Sequence, residues 1–349
     1  MSSGFSVAGA STVSTHVIVH PTSEAMVFPL DHLRRLMGPH GLFEHARYRR
    51  PRLDHGYTTD DNGRALVVAS ARPEASDILE AALRMVVAGY TPDGWHNRLS
   101  ASGVWLDQVG SEDAQGRAVW GLGVAAGRRL LDDDAPALEV LNGWHRRPLT
   151  AVRAIAYAML GATAALDGPI PVAGERLILS YRPPPLGKGS WPWPEERLTY
   201  DNARIPEAMM ATGIALGDTE STERGLALLE WLVGIEELDD RFAFTPVGGR
   251  GPDDPRRPGF DQQPLEAWAM ADACRLALSI TGDAIWLDRL TMAVEWFWGR
   301  NHAACPVFDP ADGAGYDGLE AAGVNENAGA ESTLAALGAH LALASLTTA

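Results

Sequence analysis

One pattern recurs along this chain and limits its fold more than any other feature. A short polar turn that carries acids or amides leads into a helix rich in alanine and glycine. Five copies can be read in the sequence: TTDDNGRALVVA from Thr58, GSEDAQGRAVWGLGVA from Gly110, LTYDNARIPEAMMATG from Leu198, GFDQQPLEAWAMADA from Gly259 and GVNENAGAESTLAALGAHLALA from Gly323. A sixth helix of this kind, HRRPLTAVRAIAYAMLGATAAL from His145, occupies the one longer gap. Helices that are apolar nearly all round are typical of helices buried on every side.

Amphipathic segments of a second kind alternate with the buried ones. The clearest are SDILEAALRMVVAGY from Ser76, STERGLALLEWLVGIEEL from Ser221 and DAIWLDRLTMAVEWFWG from Asp283; further candidates span 29–46, 135–143 and 175–181. An open solenoid of helices needs polar terminal caps, and the last repeat here is the most apolar. The alternation, at a period of about 50 to 60 residues, therefore predicts a closed ring of six helical hairpins. Strand-like alternation is scarce, and STHVIVH near the start is the one fair candidate.

Bulk composition narrows the class of protein. The chain has 349 residues, 46% of them hydrophobic and 21% charged, as in a soluble globular protein. A net charge of −16 argues against a nucleic-acid partner, because phosphates would be repelled. We find no signal peptide and no apolar run near the ~20 residues of a membrane span, so we expect a cytoplasmic protein. Two cysteines, Cys274 and Cys305, do not make a disulfide framework or a zinc site.

In a ring of this kind, the N-termini of the six buried helices point to one face. Their free N–H groups and dipoles converge there, and the polar turns bring their acids to the same place. These acids are Asp60, Asp61, Glu112, Asp113, Asp201, Asp261 and Glu326. Three long loops, 90–110, 181–200 and 239–260, end at this mouth, and the first two of them carry Trp95, Trp105, Trp191 and Trp193. Loops this long inside a compact domain are usually functional or disordered.

Carboxylates and tryptophans around a concave mouth suit a neutral sugar. Aromatic faces cover the apolar side of a pyranose, and carboxylates accept hydrogen bonds from its hydroxyls. Two carboxyl groups on opposite sides of a glycosidic bond can serve as general acid and as base or nucleophile. Acids from different repeats can reach across the mouth, whereas the adjacent Asp60 and Asp61 are poorly placed for two such roles.

Each acid also has a structural interpretation. Aspartate is a preferred helix cap, so either Asp60 or Asp61 can cap its helix, which would leave the other for the pocket; we expect Asp61 to face the substrate. An arginine follows one turn later in three repeats, as Arg64, Arg117 and Arg204, and this recurrence favours structural ion pairs.

Three further glutamates, Glu207, Glu266 and Glu331, fall inside the buried helices. Each is either part of an internal ion pair or a pocket residue, because an unpaired buried charge is costly. The loop histidines His55, His96 and His302 are predicted to be solvated or hydrogen-bonded. We expect no metal and no cofactor.

The five motifs, in this order, resemble the six-hairpin glycosidase superfamily, whose fold is the (α/α)6 barrel. GYTTDDNGRAL, SEDAQGRAVWGLG, LTYDNARIPEAM, GFDQQPLEA and GAESTLAALGAH are similar to a bacterial group, often labelled glycosyltransferase or glycosidase-like, that is found beside mannoside-processing genes. The resemblance covers roughly residues 28 to 348. It implies an all-α fold, with residues 1–27 as an N-terminal extension and 28–349 as one catalytic domain.

The same resemblance implies hydrolysis or phosphorolysis of glycosides by an acidic acid/base pair. Our leading hypothesis is a glycoside hydrolase on a short oligosaccharide, with a mannoside as one option. The expected catalytic acids are Asp60, Asp61, Asp113, Asp201 and Asp261. The expected substrate contacts are Tyr57, Arg64, Trp95, His96, Glu112, Trp191, Trp193, Tyr200, Asn202, Gln262 and Glu326.

Alternatives stay open at this point. A sugar isomerase or epimerase on the same ring would usually need histidines on the inner helices. These helices carry mostly acids here, and His340 is the exception. A non-catalytic carbohydrate-binding ring is a third hypothesis. A terpene-cyclase toroid is less well supported, because DDNGR lacks the second acid of a DDxxD magnesium site. A transferase is disfavoured because no βαβ unit with a glycine-rich phosphate loop can be found. The oligomeric state is not indicated.

Overall fold

A computed structural model describes residues 28–131, 136–144, 148–167 and 185–346. Three sequence expectations therefore lie outside the described residues. They are the strand-like STHVIVH, the N-terminal extension 1–27 and the outer helix near 175–181.

The described residues form eleven α-helices, which we number in chain order. They are α1 (Asp31–Arg35), α2 (Thr59–Ala69), α3 (Ser76–Ala88), α4 (Glu112–Gly127), α5 (Pro136–Trp144), α6 (Val152–Ala165), α7 (Arg204–Leu216), α8 (Thr219–Glu236), α9 (Pro264–Thr281), α10 (Ala284–Phe297) and α11 (Ala330–Ala344). A short 3-10 helix spans Pro73–Ala75. Helices α2, α4, α6, α7, α9 and α11 are the six small-residue helices, and most of their residues are buried.

These six inner helices close into a ring. Each packs against the next in the order α2, α4, α6, α7, α9 and α11, and α11 returns to pack against α2. Helices α3, α5, α8 and α10 lie outside, each beside the inner helix that precedes it. The predicted closed ring of alternating helices is confirmed, and the architecture is an all-α (α/α)6 barrel.

Glycine lets the inner helices approach each other backbone to backbone. A Cβ on Gly121 of α4 would lie 2.4 Å from the carbonyl oxygen of Gly63 in α2. A Cβ on Gly123 would lie 2.1 Å from the carbonyl oxygen of Gly161 in α6. Both distances are shorter than any real contact, so larger residues would push the ring apart. This close packing is the physical reason for the alanine- and glycine-rich composition of the repeats.

The prediction of an outer helix over 29–46 is wrong beyond its first turns. Helix α1 ends at Arg35, and the chain continues as a hairpin of two-residue strands. Gly41 has φ +133, which an L-residue with a side chain rarely adopts, so the helix cannot continue through it.

Fourteen strands of two or three residues pair antiparallel in seven small sheets. They are β1 (Met37–Gly38), β2 (Gly41–Leu42), β3 (Ala46–Arg47), β4 (Arg50–Pro51), β5 (Tyr57–Thr58), β6 (Tyr90–Thr91), β7 (Gly94–Trp95), β8 (Arg98–Leu99), β9 (Glu237–Leu238), β10 (Arg241–Phe242), β11 (Phe308–Asp309), β12 (Ala314–Gly315), β13 (Gly318–Glu320) and β14 (Gly323–Asn325). All lie in connections between helices. The pairing of β5 with β8 ties the loop before α4 to the start of α2.

No helix among the described residues combines the length and the apolarity needed to cross a membrane. Cys274 is buried in α9.

Candidate active site

Thr58 begins the first inner helix at the mouth. Its side-chain oxygen accepts a hydrogen bond from the backbone N–H of Asp61 at 3.2 Å, which makes Thr58 the N-cap of α2. Neither Asp60 nor Asp61 caps the helix, so that part of the sequence interpretation is wrong. Threonine fills this role because its hydroxyl oxygen, like a carboxylate oxygen, accepts a hydrogen bond from a first-turn backbone N–H.

The two adjacent acids lie in different surroundings. The Asp61 side chain is 6% exposed, and its carboxylate accepts hydrogen bonds from Arg64 and from the Thr58 hydroxyl, both at 2.8 Å. The Asp60 side chain is 21% exposed and lies 2.9 Å from Arg64. The structure thus buries Asp61 and leaves Asp60 as the one nearer to solvent, opposite to the sequence expectation.

Burial, together with the nearby charges of Asp60 and Glu331, raises the pKa of Asp61 to about 8, although Arg64 acts in the opposite direction. Burial also acts to raise the pKa of Asp60, but the guanidinium groups of Arg117 and Arg64 outweigh it and lower that pKa. Arg64 also binds Glu331 of α11 at 2.5 Å, which closes the ring electrostatically between its last and first inner helices.

Arg117 connects three acids at the mouth. Its Nη1 donates to both carboxylate oxygens of Asp60, at 2.8 and 2.7 Å, and its Nη2 donates to the Tyr157 hydroxyl at 2.7 Å. Tyr157 in turn donates to Asp201 at 2.5 Å. Asp113 and Asp201 lie 3.9 and 3.8 Å from Arg117. We call Asp60, Asp113 and Asp201 around Arg117 the arginine side of the mouth.

Asp113 is oriented by a tyrosine from the next long loop. The Tyr200 hydroxyl donates to Oδ2 of Asp113 at 2.5 Å, and burial followed by this bond raises the pKa of Tyr200. The guanidinium of Arg153 lies 4.6 Å above the Tyr200 ring and binds Glu195 at 2.7 Å. Asp113 and Tyr200, which were both predicted as site residues, therefore meet.

Asp201 is a buried member of the arginine side. It adopts φ +49, which aspartate tolerates better than most residues, and its backbone N–H donates to Glu266 at 2.5 Å. Glu266 also accepts from the backbone N–H and the side-chain amide of Asn202, at 3.1 and 3.2 Å. Burial raises the pKa of Glu266 well above its usual value. Among the described residues Glu266 thus holds a turn, and it does not form the internal ion pair that was one expectation.

Arg204 fills the barrel axis below this turn. Its guanidinium lies between the rings of Trp120 and Trp268, at 4.6 and 4.7 Å, and donates to Glu207 and Asp272, both at 2.7 Å. Glu207 and Glu331 were each expected in an ion pair or in the pocket, and they form ion pairs with Arg204 and Arg64.

Asp261 lies apart from the arginines. Its closest charged neighbours are Glu320 and Asp317, and burial followed by these two charges raises its pKa to about 6. Its Oδ1 is sealed from solvent and has no hydrogen-bond partner among the described residues. A Cβ on Gly318 would lie 2.2 Å from this oxygen, so glycine makes room for the carboxyl group. We call Asp261, Asp317 and Glu320 the Asp261 side of the mouth.

Six predicted substrate contacts are buried, with at most 2% of their surface exposed. They are Tyr57, Arg64, Trp95, Trp193, Asn202 and Gln262. Tyr57 stacks on Phe43 at 4.2 Å, and the Trp95 indole donates to a backbone carbonyl at 2.8 Å. The aromatic residues of this set were expected at the mouth because their large apolar area suits a sugar face, but the same area is equally favourable when buried in a core.

Glu112, the first residue of α4, binds the loop that leads into α6. Its carboxylate accepts hydrogen bonds from the backbone N–H groups of Thr150 and Ala151, at 2.7 and 2.6 Å, just before α6. Burial acts to raise the pKa of Glu112, but these backbone hydrogen bonds lower it. Glu112 therefore ties the start of α4 to the loop before α6.

The remaining predicted contacts are less buried. His96 stacks on Trp105 at 5.1 Å, and Trp191 is half-buried with its indole donating to the Glu195 carbonyl. Glu326 is exposed and lines a groove of about 1620 Å³ between the hairpin 46–54 and the segments 305–326. This groove also contains Arg47, Arg49, Arg50 and Arg52. Sequence reasoning missed them, although ARYRRPR is a conspicuous basic run in an acidic chain.

The mouth thus holds carboxyl groups of two kinds. Asp60 has a lowered pKa and stays ionised, whereas Asp261 has a pKa near 6 and is partly protonated near neutral pH. Pairs of carboxyl groups whose environments separate their pKa values are suited to act as acid and base.

No protein-family model matches this sequence, and neither does any curated protein. Solved structures are similar in fold. One is a sugar epimerase from a ruminal bacterium, with a TM-score of 0.68, 12% identity, and coverage of 93% of this chain and 97% of that chain. Another is a cellobiose 2-epimerase from Bacillus thermoamylovorans B4167, with a TM-score of 0.66, 13% identity, and coverage of 92% and 96%.

A third similar structure is a GH76 α-mannanase from Bacteroides thetaiotaomicron, with a TM-score of 0.58 and 12% identity, which covers 84% of this chain and 87% of that chain. At these identities the similarity shows the shared (α/α)6-barrel fold. Activity has to be argued from the residues at the mouth.

Proposed function

We propose that this protein is a glycoside hydrolase that acts on a short oligosaccharide, with mannosides as the first substrate class to test. The supporting observation is the opposite pKa shifts of Asp60 and Asp261 on one face of the ring. Glycoside hydrolysis needs one protonated and one ionised carboxyl group. The epimerases and the mannanase of the same fold are in keeping with a sugar substrate.

Asp261 is assigned as the general acid. A carboxyl group with a pKa near 6 still carries a proton in a useful fraction of molecules near neutral pH. No arginine neutralises it among the described residues, since its charged neighbours are Glu320 and Asp317. Its proton would go to the glycosidic oxygen as the bond to the leaving sugar breaks.

Asp113 is assigned as the group that receives a proton from water. Tyr200 binds its Oδ2, and Oδ1 accepts no hydrogen bond from the described residues. Asp113 lies at the start of α4 and Asp261 just before α9, and these two helices are opposite each other in the six-membered ring. Asp60, bound through both oxygens to Arg117, supplies a fixed negative charge beside it.

A sugar epimerase or isomerase is the second candidate, because two of the similar structures are epimerases. Histidine would be the expected proton carrier in that case. The inner helices described here contain His340, which is buried, bonds through Nδ1 to the Ala336 carbonyl and accepts from the Trp298 indole. His340 lies about three turns into α11, away from the helix starts at the mouth, and burial lowers its pKa to about 4.

The proposal is tested by incubating the purified chain with mannosides and other oligosaccharides and following new reducing ends by chromatography. We expect Asp261→Asn to lower the hydrolysis rate by about 100-fold or more, the usual contribution of a general acid. Asp253→Asn is the matched control, because Asp253 is an exposed acid in the same loop. Both variants are expected to fold as the wild type does.

Running the reaction in D₂O separates the two candidates. Hydrolysis gives shorter sugars without carbon-bound deuterium, whereas epimerisation through proton abstraction gives an isomer of the same length that carries deuterium. If Asp261→Asn folds and keeps full activity on the true substrate, the assignment of the acid is wrong. If deuterated isomers form and no shorter sugar does, the hydrolase proposal itself fails.

A further inference from the structure

A cluster of metal-ligand side chains lies on the hairpin that precedes α2. Glu44 and His45 are on one arm and His55 is on the other. One potential ligand atom from each of the three side chains lies within 4.8 Å of the other two. Nε2 of His45 is 3.5 Å from Oε1 of Glu44, and the two imidazole rings have centroids 4.9 Å apart.

The backbone holds the two arms in place. The Glu44 N–H donates to the Gly56 carbonyl at 3.0 Å, and the Arg52 N–H donates to the His45 carbonyl at 2.7 Å. The Glu44 carbonyl accepts from the N–H of Ala330, the first residue of α11, at 3.0 Å. The cluster is therefore fixed to the ring at the mouth, where a preorganised set of ligands loses little entropy on binding.

Two observations point to a cation. Oε2 of Glu44 is sealed from solvent and has no hydrogen-bond partner among the described residues, a costly state for a carboxylate oxygen. Two further acids lie near the cluster, since Glu44 acts electrostatically on Asp61 and His45 on Asp317. Arg52 of the same hairpin is bound to Asp54 at 2.8 Å.

We propose that Glu44, His45 and His55 bind one divalent transition-metal ion. Two imidazoles and one carboxylate favour Zn²⁺, Co²⁺ or Ni²⁺ over Mg²⁺ and Ca²⁺, which prefer oxygen ligands. The side chains of His45 and His55 are 47% and 29% exposed, so the ion keeps coordination positions open to solvent. The Asp54 carboxylate adds a negative charge 3.6 Å from Nε2 of His55.

This site is independent of the proposed hydrolysis, because binding can be measured without any sugar. The full chain, free of affinity tags and stripped with EDTA, is titrated with Co²⁺ and with Zn²⁺. We expect one equivalent to bind, with visible Co²⁺ absorption bands of a low-coordinate complex and a rise in melting temperature. The double variant His45→Asn/His55→Asn should bind at least about 100-fold more weakly, since loss of orienting neighbours alone costs 10- to 100-fold.

Glu44→Gln keeps the shape of the side chain and should weaken binding at least about tenfold if the carboxylate is a ligand. His40→Asn is the control, because His40 is an exposed histidine outside the cluster. The proposal is overturned if the wild type binds several ions and all of them weakly. It is also overturned if the wild type and both cluster variants bind with equal affinity. Circular dichroism without metal checks that each variant is folded.

Discussion

The two sides of the mouth use the same residue type in opposite charge environments. On the arginine side, Asp60 is bound by Arg117 and Arg64 and its pKa is lowered. On the Asp261 side, a carboxyl group with two acidic neighbours and no arginine has its pKa raised to about 6. The contrast shows how one helix-start motif, repeated around a ring, places carboxyl groups with a lowered pKa at one position and with a raised pKa at another.

The adjacent pair Asp60 and Asp61 repeats this contrast on a smaller scale. One residue apart, they have pKa values shifted in opposite directions, downward for Asp60 and to about 8 for Asp61. Arg117 reaches Asp60 and does not reach Asp61. The arginine that binds each aspartate, and not the position of the aspartate in the motif, decides its protonation state.

Removing the arginine should have the largest effect on this contrast. Arg117→Met leaves Asp60 with one arginine and breaks the bond to Tyr157 in a buried setting. We expect a loss of about 3 to 5 kcal/mol in the free energy of unfolding, as for other buried pairs that lose one partner. Urea unfolding of the variant and the wild type at neutral pH measures this difference in the free energy of unfolding.

Arg98→Met is the control for that experiment, because Arg98 is exposed and its side chain forms no ion pair among the described residues. It should change stability by less than about 0.5 kcal/mol. If Arg117→Met costs no more than this control, Arg117 does not organise the arginine side.

The pH dependence of stability should have opposite signs on the two sides. The folded-state pKa of Asp261 is above its ordinary value of 3.8, so the stability it contributes is complete below pH 3.8 and is lost as pH rises through about 6. The folded-state pKa of Asp60 is below 3.8, so its contribution is present above that pH and is lost as pH falls through the lower folded-state value.

Unfolding free energies of Asp261→Asn and Asp60→Asn at pH 3, 5 and 7 therefore test the comparison. Relative to wild type, Asp261→Asn should gain stability between pH 3 and 7, by about 1 kcal/mol after allowance for solvent screening. Asp60→Asn should lose stability over the same range. Parallel curves for the two variants would contradict the assignment of opposite environments.

The smallest expected change comes from Gly318→Ala. A Cβ there would lie 2.2 Å from Oδ1 of Asp261, and the flexible carboxyl group would have to turn away. We expect little change in stability, less than about 1 kcal/mol, and a roughly tenfold lower rate, since small misplacements of catalytic groups are costly.

Gly234→Ala is the matched control for Gly318→Ala, because a Cβ at Gly234 meets nothing within 4 Å. If Gly318→Ala and this control have equal rates, Asp261 does not lie at the reacting position.

The local pattern was enough to predict the ring. Six small-residue helices, their alternation with amphipathic ones and the gathering of acids at one face follow from periodicity and helix-start chemistry. The ion pairs of Arg64 with Asp60 and Asp61 were predictable for the same reason, because residues three and four apart share a helix face.

Tertiary structure decided which acid meets which partner. Arg117 binds Asp60, 57 residues earlier, at 2.7 Å, and lies 3.9 Å from Asp113 on its own helix. Glu112 binds the loop before α6, and Trp95 is buried in the core although it was expected at the mouth. Helical periodicity acts over a few neighbouring residues, whereas burial and charge act through space across the ring. For that reason the sequence by itself determined where the acids gather, and only the packed barrel determined which of them is neutralised, which is buried and which keeps a proton.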